Sequence, residues 1–122
     1  MARILIIDDD KLIRWSLSEL FRQENHLVDS ASTYDEALDF VKENPYQLII
    51  SDMELNEMIR GDLLEKIQEL QPHAKIIIIS ALNRKVINPK IGNVNVEAVF
   101  EKPFESESIR ILAENLLHQE RG

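Results

Sequence analysis

The sequence predicts an α/β fold: a five-stranded parallel sheet with helices on both faces. Three observations carry that prediction: short unbroken β-branched runs, helical periods between them, and turn residues at the joins. The runs Ile4-Leu5-Ile6-Ile7, Leu48-Ile49-Ile50 and Ile76-Ile77-Ile78-Ile79 lack polar alternation, as strands buried on both faces of a parallel sheet require. Two weaker runs complete the five, Leu27 to Ala31 and Ala98-Val99-Phe100, and the latter stops at Glu101-Lys102-Pro103.

Helical stripes fall between the runs. Ile13, Leu17, Leu20 and Phe21 share one face of a first helix, with Asp10 as its N-cap, and Trp15 lies off that stripe on the helix surface. The second helix opens with Thr33-Tyr34-Asp35-Glu36, a capping-box pattern, and stops at Asn44-Pro45. A third starts near Gly61, turns Leu63, Leu64, Ile67 and Leu70 inward, and stops at Pro72. The stretch Asn83 to Asn95 holds the place of a helix between the fourth and fifth strands. Asn88-Pro89, Gly92, Asn93 and Asn95 predict that it is short or broken, because proline costs about 3 kcal/mol and glycine about 1 relative to alanine inside a helix. Ile109, Leu112, Ala113, Leu116 and Leu117 form the stripe of the last helix.

The 122 residues fit one domain, 1–122, with a single core and no second folded unit. Fourteen Lys plus Arg against 22 Asp plus Glu leave a formal charge of −8, which disfavours direct nucleic-acid binding and favours a cation as guest. The absence of cysteine excludes disulfides, thiolate metal sites and thiol nucleophiles. No apolar run is long enough to span a bilayer, and Asp8 follows the first run too closely for a secretory signal, so no membrane association is expected and a cytoplasmic location is. His26, His73 and His118 show no ligand spacing and read as surface residues.

Position then points to chemistry. Asp8 and Asp9 end the first strand, Asp52 follows the third, Ser80 the fourth and Lys102 the fifth, so all five fall at one sheet edge. Open α/β sheets bind ligands beyond the carboxyl ends of their strands, and an order 2-1-3-4-5 makes the first and third strands neighbours, roughly 5 Å apart. Asp8, Asp9 and Asp52 then cluster, and three carboxylates repel unless a cation sits among them. Oxygen ligands without His or Cys favour Mg²⁺. Singly, each residue has a plainer reading: a charged turn for Asp8-Asp9-Asp10, a solvated loop aspartate for Asp52, a strand-end hydroxyl for Ser80, a surface lysine for Lys102. Their joint order and placement make the site.

The stretches Ile4-Leu5-Ile6-Ile7-Asp8-Asp9-Asp10, Leu48-Ile49-Ile50-Ser51-Asp52, Ile77-Ile78-Ile79-Ser80-Ala81 and Lys102-Pro103-Phe104 together resemble the receiver domain of two-component response regulators, over essentially the whole chain. That resemblance implies a flavodoxin-like (βα)5 fold, with Asp52 as phosphoacceptor and Asp9 and Asp52 as direct Mg²⁺ ligands. It implies that Asp8 assists the metal through water and that the backbone carbonyl of Glu54 supplies a further ligand. Ser80 is then the hydroxyl donor to a phosphoryl oxygen, and Lys102 neutralises charge on the acyl phosphate. The implied partners are a sensor histidine kinase or phosphotransfer protein and an effector domain or protein, with a weak homodimer contact as a further expectation. The implied role is a switch, not a turnover enzyme. The resemblance also makes Lys102-Pro103 a candidate cis peptide.

The chain departs from that family in two places. Leu55-Asn56 stands where receivers commonly carry Met-Pro, and Gly61 lies nine positions after Asp52 instead of eight. Val99 occupies the usual place of an aromatic switch residue. Two alternatives follow: a phosphorylation-independent interaction module of the same fold, and a haloacid-dehalogenase-like phosphatase using Asp8 and Asp10 as Asp-x-Asp. Against the phosphatase, Leu12 replaces the expected Thr or Val, no late acidic pair follows, and there is no length for a cap domain.

Overall fold

A computed structural model describes residues 1–52, 62–81 and 94–119. Along the chain run β1 (Arg3–Ile7), α1 (Lys11–Arg22), β2 (Leu27–Ala31), α2 (Tyr34–Glu43), β3 (Leu48–Asp52), α3 (Asp62–Leu70), β4 (Lys75–Ser80), β5 (Ala98–Glu101) and α4 (Ser106–Gln119). The strands form one sheet, all neighbours parallel, in the order β2-β1-β3-β4-β5. The three isoleucine-rich runs are the central strands, apolar throughout because a helix layer covers each face. The two weaker runs are the edge strands, where most residues are only partly buried and Ala31 alone is fully so.

Alternation along the strands divides the core in two. Ile4, Ile6, Leu48, Ile50, Ile77 and Ile79 pack against Leu17 and Phe21 of α1 and Ile109, Ala113 and Leu116 of α4. Leu5, Ile7, Ile49, Ile76 and Ile78 pack against Ala37 and Val41 of α2 and Leu63, Leu64 and Ile67 of α3. Leu70 departs from the expected inward stripe. It is the last residue of α3 and is 47% exposed. Trp15 and Leu12 are both exposed on α1.

The helix ends explain where the strands begin. Asp10 caps α1, its Oδ1 accepting from the backbone N–H of Leu12 at 2.9 Å and of Ile13 at 3.3 Å. Past Arg22, Asn25 takes a left-handed φ of 67°, a conformation Asn tolerates better than most residues, and the chain reverses into β2. Thr33 Oγ1 accepts from the Glu36 N–H at 3.2 Å, as the capping box predicts, but the reciprocal bond is displaced by one residue. Glu36 Oε1 takes the Ser32 N–H at 3.2 Å and the Ser32 hydroxyl at 2.6 Å. The expectation of a weak helix over Asn83 to Asn95 falls almost wholly outside the described residues; Val94 to Val96 are described and are not helical. The Lys102–Pro103 bond is cis, as expected. Among the described residues no helix is long and apolar enough to cross a membrane.

Candidate functional site

Register sets the site. Ile7 pairs with Ser51 and Asp52 with Ile79, so Asp8 and Asp52 leave adjacent strands at the same level of one sheet edge. Ser80 pairs with Glu101, which brings Lys102 to that edge as well. The Lys102 N–H donates to the Ser80 carbonyl at 2.8 Å, tying the last residue of β4 to the residue that carries the ammonium.

The β1–α1 turn holds Asp8 rigidly. Its N–H donates to the Ala31 carbonyl at 3.1 Å, its Oδ1 accepts from the Asp10 N–H at 2.8 Å, and its carbonyl accepts from Arg14 Nη1 at 2.8 Å. The other carboxylate oxygen, Oδ2, is buried without a hydrogen-bond partner. Lys102 Nζ stands 3.6 Å from it and 3.3 Å from Asp52 Oδ2. Asp8 and Asp52 are each 1% exposed and the lysine side chain 19%, so two carboxylates share one ammonium in a largely dry setting. Burial pushes the Asp8 carboxyl up to about 7, and the neighbouring charge of Asp52 adds to the rise. The Asp10 N–H and Lys102 partly offset both.

Carboxylate oxygens of Asp8, Asp9 and Asp52 all lie within 4.8 Å of one another, with Asp9 exposed at the mouth. The donors are hard oxygens, and an orphaned buried oxygen faces the cluster, so these residues fit a small divalent cation such as Mg²⁺.

Five of the residues singled out from the sequence therefore meet at one edge: Asp8, Asp9, Asp52, Ser80 and Lys102. Glu54 lies outside the described residues, as do Leu55, Asn56 and Gly61. Asp10 serves as the helix cap, in keeping with its exclusion from the site. Val99 packs against the α2–α3 side of the core with Val94 and Val96, while Phe100 joins the opposite side. Sequence reasoning missed the bond from Arg14 to the Asp8 carbonyl, whose signal is an arginine in the first turn after an acidic strand end. It also misplaced His26, whose side chain is only 8% exposed and is bonded at both nitrogens, to the Ala2 N–H and to Glu114.

A family model for the response regulator receiver domain matches residues 4–114. The chain is similar to sporulation initiation phosphotransferase F of Bacillus subtilis, 28% identical over 108 residues that cover 88% of this chain and 87% of that protein. It is similar to the chemotaxis protein CheY of Thermotoga maritima, 27% identical over 104 residues covering 84% and 87%. Among solved structures it superposes on the response regulator protein TrrA of Thermotoga maritima in complex with Mg²⁺-BeF. The TM-score is 0.81 at 26% identity, over 95% of this chain and 99% of that one.

Proposed function

We propose, from the premise that this chain belongs to the response regulator receiver domain family, that Asp52 is the residue that takes the phosphoryl group in two-component signalling. The observation that carries the assignment is the position of Asp52: buried, clustered with the carboxylates of Asp8 and Asp9 and 3.3 Å from the Lys102 ammonium.

A carboxylate oxygen of Asp52 attacks the phosphorus of a phosphohistidine, held by a kinase or phosphotransfer protein. The P–N bond breaks as the O–P bond forms, and the imidazole leaves with the electron pair of the broken bond. Lys102 draws charge from the Asp52 carboxylate and then from the acyl phosphate that replaces it. Ser80, at the end of β4, supplies a hydroxyl to a phosphoryl oxygen and so couples the modification to the chain that follows it. Asp8, Asp9 and Asp52 would hold Mg²⁺, with the Glu54 carbonyl as the further ligand that the family resemblance implies. When bound, the ion stabilises negative charge on the transferring group. The switch then acts on a kinase, phosphotransfer protein or effector; the chain itself is not a turnover enzyme in this reading.

Incubation with acetyl phosphate and Mg²⁺, followed by intact-mass measurement, tests the assignment. One phosphoryl adduct is expected, absent without Mg²⁺ and absent in Asp52→Asn. An adduct at wild-type yield in Asp52→Asn, or no adduct in the wild type, overturns it. The TrrA complex with Mg²⁺-BeF supports the choice of ion by similarity.

A further inference from the structure

The guanidinium of Arg14 is aimed at a neutral backbone acceptor in the turn that carries Asp8 and Asp9. It donates to the Asp8 carbonyl at 2.8 Å, while its own backbone N–H donates to the Asp10 carbonyl at 3.0 Å. The second bond is the ordinary first backbone bond of α1, so the side chain of Arg14 holds the Asp8 carbonyl alone. The carbonyl it holds belongs to the peptide group joining Asp8 to Asp9, so the bond limits rotation on either side of that peptide. Those rotations decide where the exposed Asp9 carboxylate starts relative to the buried Asp8 and Asp52. The same charge is felt, without a hydrogen bond, at Glu36 in the first turn of α2. It is a minor contributor to the lowered pKa of Glu36, behind the hydrogen bonds from Ser32.

We propose that Arg14 is a positioning residue for the divalent-cation site: by holding the Asp8 carbonyl it keeps the Asp8–Asp9 peptide turned so that the Asp9 carboxylate joins Asp8 and Asp52 around the ion. The proposal rests on the reading of those three carboxylates as a Mg²⁺ site. As a plain charge, a cation beside the cluster repels Mg²⁺, and losing it tightens Mg²⁺ binding. As a positioning bond, losing it frees the ligand and weakens Mg²⁺ binding, in the way that partners behind metal ligands commonly do.

Amide chemical-shift titration with Mg²⁺ alone, on the full chain, separates the two. Wild type, Arg14→Met, Arg14→Lys and Asp9→Asn are compared at a temperature where each is folded. Arg14→Met keeps the aliphatic stem and is expected to weaken Mg²⁺ binding about tenfold. It should also move the Asp9 and Asp10 amide resonances in the metal-free protein. Arg14→Lys keeps the charge on a side chain of different reach and should fall between Arg14→Met and wild type. Affinity equal to or tighter than wild type in Arg14→Met overturns the proposal, because Arg14 then acts as a charge alone. If Arg14→Met does not fold, the same outcome in Arg14→Lys overturns it. An unchanged Mg²⁺ affinity in Asp9→Asn overturns the metal-site reading itself, a failure distinct from that of Arg14.

Discussion

Lys102 Nζ stands 3.3 Å from Asp52 Oδ2, and their separation of 50 positions in sequence is closed by β4 and β5 pairing beside β3. The same ammonium lies 3.6 Å from Asp8, so it is the counter-charge common to both buried carboxylates.

Replacing Lys102 with Met should therefore leave two buried carboxylates in mutual repulsion. Removing one partner of a buried pair costs about 3 kcal/mol or more, and partial exposure of this lysine places the expected loss toward the lower end. Urea unfolding at neutral pH measures it. Saturating Mg²⁺ should recover part of the loss; unchanged stability without Mg²⁺ would mean the lysine does not compensate the cluster.

The pH dependence follows from Asp8, whose folded-state pKa is raised to about 7 from an ordinary 3.8. The folded protein keeps a proton that the unfolded chain has released, so the stabilisation is full below the unfolded value and is lost as pH rises through about 7. Metal-free melting temperature should fall from about pH 4 to pH 7 by this contribution. Asp8→Asn should flatten that slope, raise metal-free stability at pH 8, and weaken Mg²⁺ binding. Melting curves of both proteins across pH, with and without Mg²⁺, check it, and an equal slope in the mutant would count against the Asp8 assignment.

His26 joins the N-terminus to α4. Its Nδ1 accepts from the Ala2 N–H at 3.0 Å, so the neutral ring carries its proton on Nε2 and donates it to Glu114 Oε1 at 2.8 Å. His26→Ala should cost about 1–3 kcal/mol, since it leaves a part-buried donor and a carboxylate without that partner. Denaturant unfolding measures the loss, and faster amide exchange at Ala2 than in wild type is the local sign.

Thr33→Ala removes the acceptor that holds the Glu36 N–H and should lower stability by about 1 kcal/mol. Because Ser32 engages Glu36 through both its N–H and its hydroxyl, Glu36→Ala should cost a comparable amount. A Glu36 variant as stable as wild type would show that the displaced half of the capping box contributes nothing.

The sequence by itself determined the βα rhythm and the residues that stand at the strand ends. Strands covered on both faces must be apolar throughout, so Ile4 to Ile7 and Ile76 to Ile79 announce themselves locally, and the polar residues that follow the three runs mark the edge where Asp8, Asp52 and Ser80 emerge. Capping chemistry is local too, and it placed Asp10 outside the site and Thr33 at the start of α2. Tertiary structure alone decided which polar atoms are satisfied. His26 reads as a surface residue until Glu114, 88 positions away, is brought against it. Leu70 fits the inward stripe of α3, yet as the last residue of that helix it stays 47% exposed. The orphaned oxygen of Asp8 and the two carboxylates sharing Lys102 depend on distances between side chains of separate elements. Periodicity specifies which face a residue takes, but hydrogen-bond partners are set only once the sheet register and the helix packing bring the faces together.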